Sequence, residues 1–446
     1  MNKCDRVRMN TIIQLFNRAL FVVALFLLTE LFSCAQNSNY QPHFLVKTTS
    51  VMSSQEIRFI EGQRFVVDTD IDLQGKLCKI PNGVTLVFKG GKFKNGELYG
   101  QNTKIEYSGV VFDKVLIEGS WICPVIKSSM FADLRYDNSL KDVLALTNPD
   151  IHNKVIIEEG YYSIVATKPT DSCILVRNNT ELIINGTIEL TPNSYGKYYM
   201  IHVLGDDVII KGKGSLIGDR PKHIGKEGQW GFGIYVNRSH RVTISDLSIS
   251  ECWGDCIYVN GMSSDVNIKN CKISYGRRQG ISITSADNVT IKDCYISNIA
   301  GHAPEYGIDV EPNANDTVRV VRISNVVIED CVGGIMAYGN AADAYIGNVE
   351  IKNCQMYASK KIPIRFIGCE NAKAVKCTLT GSANLESILC EDVDNAKIYC
   401  NTFQFIGIMK EGKRRILRRL SNNEGKGRIN LRNCGKTTIC SNKMEE

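Results

Sequence analysis

From about Asp206 onward, apolar and polar residues alternate in short runs that end on Asn or Asp, usually followed by Cys, before a second alternating run begins. The phrase reads VTISDLSIS at 242–250, VNIKNCKIS at 266–274, VTIKDCYIS at 289–297, VVIEDC at 326–331 and VEIKNCQM at 349–356. A looser copy, AKAVKCTL, follows at 372–379. Its Asn/Asp position falls at Asp246, Asn270, Asp293, Asp330 and Asn353, at intervals of 24, 23, 37 and 23 residues. Period-two alternation predicts strands, and recurrence near 23 residues predicts a solenoid in which each repeat is one coil. Inward positions then serve packing, so chemistry is confined to the outward columns. Cys271, Cys294, Cys331, Cys354 and Cys377 share one slot of the phrase, which predicts an internal stack of thiols rather than a disulfide framework.

Residues 44–121 alternate in shorter runs punctuated by Asn-Gly and Gly-Gly, which predicts a smaller N-terminal β stack. Leu140, Val143 and Leu144 fall at i, i+3 and i+4 between Asp137 and Pro149, with Asn138 as cap and Pro149 as stop. One short helix is predicted there, capping the open end of the coils. The expected fold is all-β: a solenoid with a short N-terminal β stack, one capping helix and a main stack over 122–446.

The N-terminus reads as an export signal, because basic residues precede an apolar run at 19–28 that is short for a membrane span. Leu31-Phe32-Ser33-Cys34 resembles the lipobox of bacterial lipoproteins, which implies lipidation of Cys34. Residues 1–34 are then a lipoprotein signal peptide and 35–43 a linker, and the protein is exported to the outer membrane, periplasm or cell surface. Beyond residue 34 there are 49 basic and 45 acidic side chains, a net charge of +4. That argues against nucleic acid and is compatible with an acidic polysaccharide. The basic run KEGKRRILRR at 410–419 reads as a solvated loop. A monomer is expected.

A second element recurs in each coil, a small residue followed by Ile: Gly233-Ile234, Cys256-Ile257, Gly280-Ile281, Gly307-Ile308, Gly334-Ile335 and Pro363-Ile364. With Ile inward, one outward column is Tyr235, Tyr258, Ser282, Asp309, Met336 and Arg365, and the next is Asn237, Asn260, Thr284, Glu311, Tyr338 and Ile367. Small residues beside these columns suggest the floor of a sugar-binding groove. Asp309 and Glu311, two apart on one face, are suited either to raise each other's pKa or to share a cation such as Ca²⁺. The coil that carries them has the longest interval, and its excess at 298–305 and 312–317 is expected to wall the groove and bring His302 near the acids. Arg277, Arg278 and Gln279, one coil earlier, are candidates for gripping substrate carboxylates, as is Arg365, with Tyr235 and Tyr258 as stacking faces.

Taken together these repeats resemble the pectate-lyase-like, right-handed parallel β-helix superfamily over most of residues 60–440. Trp253-Gly254-Asp255-Cys256 resembles the Asp-Asp-Cys strand entry of polygalacturonase-type glycosidases, which implies a general acid at Asp255. Gly254 replaces the first Asp of that pair, and Arg278-Gln279-Gly280 stands where that family has Gly-His-Gly. Tyr306-Gly307-Ile308-Asp309 resembles the Tyr-Gly-Phe-Asp-Pro-His signature of alginate C5-epimerases, with Glu311 in place of the histidine. The resemblances imply a polysaccharide-acting enzyme, a hydrolase by preference and a lyase or epimerase as the alternative. Asp255, Asp309, Glu311, His302 and Tyr306 are the candidate catalytic groups. No cofactor is required, Ca²⁺ at Asp309 and Glu311 being the one option. A non-catalytic glycan-binding solenoid is the third reading.

Overall fold

Each coil of the chain makes three strands and two tight bends, and in-register stacking of coils converts them into three parallel sheets. The computed structural model describes residues 52–53, 57–132, 134, 139–357, 360–382, 386–406 and 429–444. Among these, the first sheet has 12 strands, from Val125–Lys127 to Lys436–Cys440; the second has 11, from Tyr161–Ile164 to Lys443–Met444; the third has 10, from Ser172–Val176 to Ile429–Arg432. Met52–Ser53 through Phe112–Ile122 form a separate seven-stranded sheet. The signal segment with Cys34, the linker at 35–43 and the basic run at 410–419 lie outside the described residues.

Register follows the apolar alternation. Val242, Val266, Val289, Val321 and Val349 pair in succession along the first sheet, all of them buried. Because all three sheets turn one face inward, the core is a column of stacked Val and Ile. Each coil adds one layer about 4.8 Å thick.

The bend between first and second sheets explains the Asn/Asp slot. Asp246, Asn270, Asp293, Asn325 and Asn353 all have positive φ, 52° to 65°, where Asn and Asp are tolerated and β-branched residues are not. Their side chains also stack: Asn270 Nδ2 donates to Asp246 Oδ1 (2.6 Å), Asn325 to Asp293 (2.8 Å) and Asn353 to Asn325 (2.8 Å). The next residue points into the bend, and Cys271, Cys294, Cys354 and Cys377 there are buried thiols. Cys294 Sγ, for instance, donates to Lys292 O at 3.3 Å.

One repeat is displaced from the expected phase. Thr290 pairs with Arg322, so Asp293 is followed in the ladder by Asn325 and not by Asp330. The apparent interval of 37 becomes 32 and then 28. Asp330 (φ 53°) and Cys331 instead occupy the bend between second and third sheets, as Glu251-Cys252 (φ 58° at Glu251) do three coils earlier. Both bends require an αL residue followed by a small or slender inward side chain, so the two phrases look alike.

The helix forms at Ser139–Ala145, with Leu140, Val143 and Leu144 buried. It packs on Phe112–Ile122 and on Ser172–Val176, closing the end of the main core as expected. Asn138, the expected cap, lies outside the described residues.

Candidate active site on the third sheet

Ile234, Ile257, Ile281, Ile308, Ile335 and Ile364 form one paired, fully buried row of the third sheet. Tyr235, Tyr258, Ser282, Asp309, Met336 and Arg365 pair alongside it as the outward column. The small residues before Ile do not floor a groove. A Cβ on Gly233, Gly280 or Gly307 would meet the interior side chains of Ile249, Ile296 or Ile328 at 3.0 Å or less. They are small because the coil narrows at the bend.

A cluster of ionised and polar groups occupies the middle coils. Asp255 leads into Ile257–Asn260 and is fully buried. Arg278 Nη1 bonds Asp255 Oδ2 at 2.9 Å, and its Nη2 lies 3.6 Å from Glu311 Oε2. Gln279, also fully buried, donates from Nε2 to Asp309 Oδ2 (2.7 Å) and accepts the Tyr306 N–H at Oε1 (2.7 Å). Asp255, Arg278, Gln279, Asp309 and Glu311 thus come from three successive coils and meet on one face.

Their environment separates the carboxyls. Burial pushes Asp255 up to about 6, against the pull of Arg278. Burial, and next the charge of Glu311, drive Asp309 well above the carboxylate range, with Arg278 offsetting only part. Both effects favour the protonated form of Asp309, while the Glu311 side chain is 32% exposed and open to a ligand. Burial alone would lower the Arg278 pKa, but Asp255, Asp309 and Glu311 outweigh it.

Six buried polar atoms on this face have no hydrogen-bond partner: Asp255 Oδ1, Arg278 Nε, Ser282 Oγ, Tyr306 OH, Asp309 Oδ1 and Arg365 Nε. They are six of the nine such atoms among the described residues, so the shortfall is concentrated here. Each costs about 1–3 kcal/mol of unrecovered hydration. A face that tolerates this is arranged for a ligand more than for stability.

The coils before the cluster carry a patch of aromatic rings. Phe232 stacks on Tyr258 (4.3 Å between centroids, 7° between planes), and His202 stacks on Tyr235 (4.9 Å, 16°), with Tyr199 against Tyr235. Burial lowers His202 to about 4, so it is neutral in this stack. Tyr199, His202 and Phe232 were not foreseen in the sequence. Tyr198 to Val203 pairs with Gly231 to Val236, but Met200 stands where the next coil has Gly233 and hides the phrase.

Arg277 does not join the cluster. Its guanidinium lies 3.7 Å over the Trp253 ring, and Nη1 donates to Gly228 O at 2.8 Å. His223 stacks on Trp253 at 3.8 Å and meets Asp219 through Nδ1 at 2.7 Å. Arg277 thereby anchors the loop that precedes Trp230–Asn237, leaving Arg278 to face the acids. His302 sits at the same rim, its N–H bonded to Arg277 O (2.8 Å). Burial and the two arginines lower its pKa, and its ring makes no bond to the acid pair.

Arg278 supplies positive charge to Asp255 and Glu311, and no group of three or more His, Cys, Asp or Glu side chains placed to hold a metal ion occurs among the described residues.

Residues 170–348 match the family model described as "Right handed beta helix region", and the three parallel sheets run through that whole span. The chain is a parallel β-helix. This β-helix is 29% identical over 204 residues to the SPbeta prophage-derived uncharacterized protein YorA of Bacillus subtilis (strain 168), an alignment covering 40% of this chain and 35% of that protein. The chain spans about a third of the length of the curated relatives it matches. The A-module of mannuronan C-5 epimerase AlgE4 from Azotobacter vinelandii is 13% identical, with a TM-score of 0.44 over 66% of this chain and 87% of that one. An alginate lyase from Paenibacillus sp. str. FPU-7 is 14% identical, with a TM-score of 0.43 over 63% and 95%.

Proposed function

We propose that the protein is an exported, lipid-anchored enzyme that hydrolyses glycosidic bonds in an acidic, uronan-like polysaccharide. The observation that carries this reading is the group Asp255, Arg278, Asp309 and Glu311, buried polar atoms unpartnered, beside an aromatic patch on one sheet. Asp255 is the proton donor, since a carboxyl pushed up to about 6 is still partly protonated near neutral pH. Glu311, the most exposed of the three carboxyls, takes the proton of a water attacking the anomeric carbon. Asp309, held by burial and by the charge of Glu311 toward its protonated form, stabilises Glu311 as the charge there changes. Arg278 bridges Asp255 and Glu311 and so holds the acid and the base on one face; a separation of about 6.5–9.5 Å between them would admit the attacking water and invert the anomeric centre. Tyr235 and Tyr258 offer ring faces to neighbouring sugars.

A specific feature favours a second reading, elimination or C5-epimerisation. The Tyr306 hydroxyl is buried without a partner and close to the Arg365 guanidinium, a setting in which a phenol could move a sugar proton. The purified protein is incubated with polygalacturonate, alginate and neutral glucans, with and without EDTA. New reducing ends without ultraviolet absorbance mark hydrolysis, whereas absorbance of an unsaturated uronate marks elimination. Retained binding with neither product refutes catalysis and leaves a glycan-binding solenoid.

A further inference from the structure

The outward column that carries Asp309 continues through Met336 to Arg365, one rung at a time. Arg365 differs from the other arginines on this face. Arg278 lies between two carboxylates, and Arg277 and Arg220 are committed to backbone carbonyls. Arg365 has no carboxylate within ion-pair distance among the described residues. Its Nη1 lies 3.8 Å from Met336 Sδ, and its Nε is buried without a partner. The Tyr306 hydroxyl is likewise buried, without a close hydrogen bond, beside the same guanidinium; burial raises its pKa, and the charge and hydrogen bonding of Arg365 pull against that.

A guanidinium half withdrawn from water beside an unpartnered hydroxyl destabilises both groups unless a ligand satisfies them. The guanidinium can only donate, and the hydroxyl, with Arg365 on its acceptor side, has its O–H left to give, so acceptor atoms on a ligand satisfy both. The guanidinium fork matches the two oxygens of a carboxylate, and the hydroxyl supplies a further donor. Lys361 Nζ lies 5.7 Å from the Tyr306 ring centroid and adds positive potential, although it already donates to Pro304 O. Two rungs separate Arg365 from Asp309, about 10 Å at the ordinary strand spacing.

We propose that Arg365 and the Tyr306 hydroxyl form an anion subsite that seats the carboxylate of an acidic sugar, two rungs from the Asp309–Glu311 pair. The proposal rests on the polysaccharide reading of this face and deepens it by giving the bound chain a polarity. Ring stacking lies toward Tyr235 and Tyr258, and the recognised carboxylate lies toward Arg365.

Affinity electrophoresis in the inactive Asp309→Asn background tests it without turnover. The gels contain polygalacturonate, alginate, the carboxyl-reduced neutral form of each, or dextran sulfate. Arg365→Gln is expected to weaken binding to a carboxylated polymer by at least about tenfold and to leave binding to the neutral form unchanged. Arg365→Lys recovers part of that loss, and the isosteric Tyr306→Phe loses about threefold, so a general folding defect is distinguishable. Unchanged binding by Arg365→Gln, equal loss toward the neutral polymers, or an effect confined to dextran sulfate overturns the carboxylate subsite. Binding of neutral polymers alone also overturns it but leaves the polysaccharide reading standing. No retardation by any polymer defeats that reading and the subsite with it.

Discussion

Asp255→Asn tests the electrostatics of the candidate site through stability, independent of any substrate. Folded Asp255 has its pKa pushed from an ordinary 3.8 up to about 6, because a fully buried carboxylate loses more hydration than Arg278 returns. The folded state therefore holds the Asp255 proton more tightly than the unfolded chain does. Its contribution to stability is present below about pH 4 and is lost as pH rises through about 6. The pKa difference corresponds to roughly 3 kcal/mol across that window. Asparagine does not titrate, so the variant escapes the loss. Asp142, also raised to about 6, and His202, lowered to about 4, titrate in the same range but are common to both proteins. They cancel in the difference. Urea denaturation followed by tryptophan fluorescence, repeated from about pH 4 to about pH 8, measures it. The Asn variant should gain on the wild type by roughly 3 kcal/mol as pH rises. A flat difference, or a wild type that gains instead, would mean the Arg278 pair outweighs burial, and the proposed proton donor would be an ordinary salt-bridged carboxylate.

The same value governs activity: if Asp255 must be protonated to act, kcat/KM should fall above about pH 6, and a profile rising through neutrality counts against it. Asp309→Asn should lower turnover by at least about a hundredfold with little change in thermal midpoint, because a carboxyl group and an amide are near isosteres. A large fall in the midpoint would mark Asp309 as structural. Asn353→Ala should cost about 1–2 kcal/mol in denaturant titrations, through the lost bond to Asn325 and the αL bend, and Asn353→Gly less, since glycine keeps the bend. Equal losses for Ala and Gly would remove the conformational part of that account.

The amino-acid sequence by itself determined the strands, the coil repeat and the outward column from Tyr235 to Arg365. These rest on local rules: side chains alternate along a strand, and equivalent positions of successive coils stack one rung apart. The pairing of Asp309 with Glu311 and the nearness of Arg278 follow from the same two rules. Tertiary structure decided what those rules leave open. Asp330 looked like the next ladder residue, yet Asn325 takes that place, because both bends of the coil need an αL residue and local pattern cannot tell one bend from the other. Arg277 and Arg278 are neighbours in sequence with opposite fates. The Trp253–His223 stack that captures Arg277 draws on a loop from two coils earlier, and the carboxylates that capture Arg278 lie one coil on either side. Burial, and with it the raised pKa of Asp309, likewise depends on what the neighbouring coils cover.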